Sequence, residues 1–232
     1  MNKGQIRTRV LQLADAEDST RWDDAAGGEV DSHIGVIQDR EWKRILNVNP
    51  YIRLARRQPT TTSTGYISGT DLDSGSGDST QRKYRVIAVV INNAVYEEMQ
   101  FREWVTGSKG SNIGPTGVWY WEGDDIFSLP KQASFALTTG GDGVWVSHLP
   151  CRQENLATES STFTFPDGYE DVVAFEAAAL LLLKGGAETQ AAVDLQRQAE
   201  LLRQDMLQDF ARRSLKAQKF QYADLSFDWG GQ

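Results

Sequence analysis

The stretch Phe165-Pro166-Asp167-Gly168-Tyr169-Glu170-Asp171-Val172-Val173-Ala174-Phe175-Glu176, continuing Ala177-Ala178-Ala179-Leu180-Leu181-Leu182-Leu183-Lys184-Gly185-Gly186, sets the frame for the rest of the chain. Pro166-Asp167-Gly168 is a stop, and the residues after it are apolar nearly all round a helix, the pattern of a buried one. Lys184 places a cation in the last turn, and Gly185-Gly186 supply the C-terminal cap. A second helix is expected over 188–215, where Ala192, Leu195, Ala199, Leu202, Met206 and Phe210 recur at spacings of three and four. It would be about 40 Å long at 1.5 Å per residue. The two helices are expected to form a hairpin across the glycine turn over 167–215.

Residues 216–232 are too polar and too few for a core of their own, yet they carry Phe220, Tyr222, Leu225, Phe227 and Trp229. The last three alternate, which suits either an extended tail added as a strand to another subunit or a tail folded back on its own domain.

Upstream, 59–166 reads as a β-rich insertion. Strand signals include the β-branched run over 60–64 and the segments 84–91, 118–121, 134–138 and 144–149, with Asn92-Asn93 and Gly140-Gly141-Asp142-Gly143 as turns. Residues 69–80 form a Gly/Ser-rich loop whose one apolar residue is Leu72. Residues 1–58 read as N-terminal helices. Asn2 with Gln5 three residues on is a capping signal, followed by Ile6, Val10 and Leu13 at helical spacing. Val30, Ile34, Ile37, Ile45, Val48 and Ile52 trace a longer helical face; Glu41 interrupts it, and Pro50 predicts its end near Asn49. The fold class is therefore α+β: a helical body with a β-rich insertion and an extended C-terminal tail.

Composition narrows function. No apolar run approaches the roughly 20 residues of a membrane-spanning helix, the longest being 177–183, and no signal peptide is read at the start. The single cysteine, Cys151, excludes an internal disulfide framework and a cysteine-rich zinc site. With 24 Lys and Arg against 32 Asp and Glu, a net charge of -8 argues against a basic footprint on DNA phosphates. The acidity resides in the middle and the C-terminal third: residues 1–58 hold 10 basic and 9 acidic groups, 59–166 hold 7 and 12, and 167–232 hold 7 and 11.

Chemical motifs are sparse. His148 and Cys151 form the one nucleophile-and-base pair worth naming, as for a small hydrolase, without a catalytic signature around them. The loop over 71–78 alternates carboxylates like a calcium loop but has Gly75, Ser76 and Arg82 where ligands or the invariant glycine are needed. No Gly-rich phosphate loop is present. The carboxylate pairs Asp124-Asp125 and Glu97-Glu98, together with Trp119, Trp121 and Trp145, leave a glycan-binding or glycan-cleaving tail-associated protein as an alternative, although adjacent carboxylates on a strand face opposite ways. No cofactor or metal site is expected.

The order of features resembles the head-to-tail connector or adaptor proteins of tailed bacteriophages. The likeness runs over most of the chain on loose patterns: Trp22-Asp23-Asp24, Arg85-Val86-Ile87-Ala88-Val89 with Asn92-Asn93, Arg102-Glu103-Trp104, and Gly117-Val118-Trp119-Tyr120-Trp121-Glu122-Gly123-Asp124-Asp125-Ile126 leading to Leu129-Pro130. It is strongest at 144–150 and from Phe165 to Val173 with the helices after it. Gly27-Gly28 and the 69–80 loop depart from it. The resemblance implies a non-enzymatic structural protein of the virion neck, made in the host cytoplasm. It would form a ring, typically of twelve subunits, beneath the portal protein and above a downstream neck or tail protein. Double-stranded DNA would pass through it without specific binding, and no membrane is involved. The resemblance also implies that the C-terminal segment clasps the portal, through Phe220, Tyr222, Leu225, Phe227 and Trp229, approached by Arg212, Arg213, Lys216 and Lys219.

Overall fold

Asn2 opens the first helix in the computed structural model. Its side-chain oxygen accepts from the Gln5 amide at 2.8 Å while the Gln5 side chain accepts from the Asn2 amide at 2.9 Å, the reciprocal cap that their spacing predicts. The structure describes residues 1–14, 28–57, 66–67, 72, 81–91, 94–99, 117–122, 125–129, 143–150, 162–184 and 189–227. Helices α1 (Lys3–Leu13), α2 (Glu29–Val48), α3 (Glu170–Lys184) and α4 (Thr189–Phe227) accompany strands β1 (Leu54–Arg57), β2 (Tyr66–Ile67), β3 (Gln81–Ile91), β4 (Ala94–Glu98), β5 (Val118–Glu122), β6 (Asp125–Leu129) and β7 (Gly143–Pro150). The class is α+β.

The chain divides into two units, a helical one from Met1–Asn49 with Pro150–Gln232 and a β unit from Pro50–Leu149. These boundaries differ from the 58 and 166 expected from composition. At the first, α2 ends before Pro50 with the Asn49 amide donating to the Ile45 carbonyl at 2.8 Å, so 54–57 are free to pair as β1. At the second, residues 162–165 belong with the helices. Thr162 bridges to Asn2, the Phe163 amide donates to the Met1 carbonyl at 3.2 Å, and Gln38 Nε2 and Trp42 Nε1 of α2 both donate to the Thr164 carbonyl at 2.8 Å. Trp42 meets Phe165 edge-on at 6.0 Å.

In the helical unit α2 buries Val30, Ile34, Ile37, Ile45 and Leu46, while α1 contributes Ile6 and Val10. Gly168 lies in the turn before α3: its φ of 85° suits glycine, and its amide donates to Glu170 Oε2 at 2.7 Å. Val172, Val173, Ala174, Ala177, Ala178, Ala179 and Leu181 are buried, so α3 is interior along most of its girth, with its last turn open at Leu183. The buried alanines let neighbouring backbones approach closely; α1, α2 and α4 all pack on α3. Of the stripe expected on α4, Ala192, Ala199, Met206 and Phe210 are buried, and Leu195 and Leu202 are half-buried.

In the β unit the described strands follow the order β1-β7-β3-β4-β5-β6-β2. Ile91 stands opposite Ala94 in the antiparallel β3–β4 pair, and Glu122 opposite Asp125 in β5–β6, both joined by two-residue connections. β4 and β5 run parallel, with Glu97 beside Val118. The core gathers Val86, Val89, Ile91, Tyr96, Trp119, Ile126, Val144 and Val146 around a single loop residue, Leu72. The strand signals over 60–64 and 134–138, Trp22-Asp23-Asp24 and the turn at 140–142 lie outside the described residues.

The C-terminal expectation is corrected. Residues 216–227 are not an extended tail; α4 continues through Phe227, 39 residues in all or about 58 Å. Ala217, Gln218, Lys219, Gln221, Ala223 and Leu225 are good helix formers, and no Gly or Pro intervenes before Gly230. Extending a formed helix gains a hydrogen bond for each residue fixed, which outweighs an alternation of only three apolar residues.

Candidate functional site

Glu41, the residue that breaks the apolar face of α2, lies at the centre of a charged cluster joining three helices. Its side chain is fully buried. Arg203 of α4 donates from Nε to Glu41 Oε2 at 2.9 Å and from Nη2 to Glu176 Oε2 of α3 at 2.7 Å, and pairs through Nη1 with Glu200. Arg44 Nη1 donates to Glu41 Oε1 at 2.8 Å, Arg40 Nε donates to the same oxygen at 3.4 Å, and the Arg40 guanidinium forms an ion pair with Glu176. Three guanidinium groups thus balance three carboxylates, and both Glu41 oxygens are satisfied.

Two members of the cluster are held in their ionised forms. Burial works against the Glu200 carboxylate, but the Gln204 hydrogen bond and the Arg203 charge outweigh it and hold its pKa below the ordinary range. Burial likewise works against the Arg203 cation; Glu41, Glu176 and Glu200 overcome it and raise its pKa. A second pairing fixes the start of α3. Glu170 accepts from the Met1 ammonium at 2.9 Å and from the Gly168 amide, and these bonds override burial to lower its pKa.

Of the residues expected to form the portal contact, Arg212 and Arg213 are exposed on α4. Arg213 Nη2 donates to Asp209 Oδ2 at 2.5 Å and its guanidinium lies 5.2 Å over the Phe210 ring, so it is partly held within its own helix. Lys216, Lys219, Phe220, Tyr222, Leu225 and Phe227 follow on the same helix, their side chains outside the described set, and Trp229 lies beyond it. Because α4 runs on to Phe227, none of the four basic residues occupies its last turn, and complementing the helix dipole no longer accounts for them.

The glycan alternative finds little support in the geometry. Trp119 is 2% exposed in the β core, and Trp121 packs edge-on against it at 5.8 Å beneath the Lys83 ammonium. Trp145 is half-buried. Glu97 and Glu98 are exposed on β4, while Asp124 and the Asp125 side chain lie outside the described residues. Nor is His148 presented for hydrolysis: it is 1% exposed, and Cys151 lies outside the described residues. Burial and the nearby Arg57 and Arg53 charges hold its pKa below the usual imidazole range, against the opposing effect of the Leu72 carbonyl.

Among the described residues no group of His, Cys, Asp and Glu could hold a metal ion, and no helix is long and apolar enough to cross a membrane. A groove of about 460 Å³ along α1 is lined by Asn2, Gln5, Thr8, Arg9 and Gln12, offering amides, a hydroxyl and one guanidinium. It presents no nucleophile paired with a base. No protein-family model matches the chain, and no curated protein is similar to it in sequence.

The charged cluster was half legible in the sequence. Glu41 stands out on an apolar face, and Arg203 sits on the apolar stripe of α4, four residues after Ala199 and three before Met206. Two opposite charges, each on an otherwise buried stripe, are the signal that could have paired them.

Proposed function

We propose that this chain is a structural head-to-tail adaptor of a tailed bacteriophage. It forms a ring, of twelve subunits in this reading, between the portal protein and a downstream neck or tail protein. The observation that carries the proposal is α4. Its first half is anchored by Ala192, Ala199, Met206 and Phe210, and beyond Phe210 the helix continues past the exposed Arg212 and Arg213 to Phe227. A long helix held at one end and basic and aromatic at the other suits attachment to a neighbouring protein.

Two further features fit. The β unit is inserted between the N-terminal and C-terminal helices, the order found in the resemblance. α3 and α4, which pack on each other, would form the helical hairpin repeated as a wedge around the ring. The net charge of -8 would then suit a conduit through which DNA phosphates pass without being gripped. The protein has no catalytic role in this reading, and the portal contact is made by helix rather than by strand addition.

The test is to mix the purified chain with purified portal rings and image the product. A closed ring seated on the portal, with residues 212–227 of each copy at the junction, is expected. A chain that stays monomeric and unbound beside intact portal rings would overturn the proposal.

A further inference from the structure

His148 of β7 has two suitors at one nitrogen. Arg57 of β1 points Nε at His148 Nε2 from 3.3 Å, and the carbonyl of Leu72 lies 3.2 Å from the same atom. A ring nitrogen has one in-plane position, filled by a lone pair or by a proton. A lone pair there accepts from Arg57 and offers nothing to Leu72; a proton donates to Leu72 and faces Arg57 donor to donor. The two contacts are mutually exclusive.

We infer that His148 is an acid-operated selector in the β unit, gripping Arg57 of strand β1 when neutral and the Leu72 carbonyl when protonated. The neutral ring takes the Nδ1–H form because a bond donated by a guanidinium is stronger than one between neutral groups. Protonation turns Nε2 into a donor, transfers the bond to the Leu72 carbonyl and sets two cations against each other at β1. Little solvent competes at the site, since His148 is 1% and Leu72 0% exposed.

The consequences differ for the two segments. β1 is a four-residue strand paired on β7, and Arg57 is a side-chain tie from it to His148. Leu72 is fully buried in the core of the β unit, so the protonated ring would bond a core backbone carbonyl. The charged groups acting on His148 from the β1 side are Arg57 and Arg53. β3, which follows β7 in the sheet order, carries the cations Lys83 and Arg85, whereas Asp71 and Asp73 beside Leu72 lie outside the described residues. This inference is independent of the adaptor reading.

The experiment uses the full-length chain, labelled with 15N and 13C, with His33→Gln so that His148 is the only imidazole. Long-range proton–nitrogen spectra report the tautomer. At pH 7.5 the Nδ1–H form is expected, with Nε2 as an acceptor. On acidification Nε2 should become a donor, and the Leu72 carbonyl and Arg57 Nε signals should shift at the same midpoint. Arg57→Gln removes a cation and should move that midpoint upward. An Nε2–H tautomer already present at pH 7.5, or Leu72 and Arg57 signals that do not follow the imidazole, would overturn the inference. If Arg57→Gln does not fold, the tautomer and the shared midpoint in the Arg57-containing chain decide alone.

Discussion

Glu41 illustrates how a single side chain is tolerated where hydrophobicity alone would forbid it. A carboxylate with no exposed surface is costly unless every lone pair is used, and here Arg203, Arg44 and Arg40 share its two oxygens. Replacing it with Gln keeps the shape but removes one negative charge, leaving three guanidinium groups for two carboxylates. Glu41→Gln is expected to cost about 3 kcal/mol, the scale for breaking a buried pair by neutralising one partner. Urea denaturation followed by tryptophan fluorescence measures it, and Glu41→Asp, which keeps the charge, should lose less. Equal stability of wild type and Glu41→Gln would mean that the cluster contributes nothing net. His148 poses the complementary case: a buried base whose hydrogen bonds compete instead of adding.

At the level of elements, α4 joins two jobs in one helix. Residues up to Ser214 present a buried stripe at spacings of three and four, with Arg203 as its one charge. The next thirteen residues continue the same helix through propensity and the absence of breakers. Ala217→Pro tests this. A proline in a helix interior removes one hydrogen bond and clashes with the preceding turn, costing about 3 kcal/mol locally. The substitution should reduce the far-UV helical signal by the turns beyond it and leave the unfolding midpoint nearly unchanged. An unaltered signal would show that 216–227 contribute no helix. The same reasoning explains why the strand-like alternation of Leu225, Phe227 and Trp229 misled: period two over three apolar residues is also compatible with a helix, and the flanking residues favour it.

For the molecule as a whole, the two units should respond to acid at different pH values. In the helical unit Glu170 and Glu200 have pKa values below their ordinary 4.5, so their contribution is present above that value and is lost as pH falls through the lower folded one. In the β unit His148 is lowered from 6.5. The unfolded chain then binds its proton first on acidification, so β-unit stability declines as pH drops below about 6.5 toward the folded value and levels off beneath it. Hydrogen exchange at core amides, corrected for intrinsic rates, should therefore show protection of Val89 and Val146 weakening as pH falls below about 6.5, before Val172 and Phe210 weaken. Replacing His148 with Gln should abolish the difference. Parallel loss in both units over that fall in pH would show that His148 does not govern the β unit.

The sequence alone determined whatever depends on local pattern. Asn2 and Gln5 specify a cap between neighbours, Pro50 ends α2 by lacking an amide hydrogen, and the alanine- and leucine-rich run after Gly168 has no polar face to expose, so α3 is buried. Tertiary structure decided what depends on partners distant in the chain. Residues 162–165 read as part of the β insertion by composition, yet belong with the helices because Gln38 and Trp42 supply the donors their backbone needs. Trp119 and Trp121 could have been a platform or a core, and only the packing of Trp119 in one cluster with Leu72 and Ile126 made it core. Glu41 could be flagged as an anomaly from its neighbours, but its meaning lay in Arg203, 162 residues away. Local sequence sets dihedral preference and periodicity; which charge meets which, and which face is covered, is set by contacts that exist only once the chain has closed on itself.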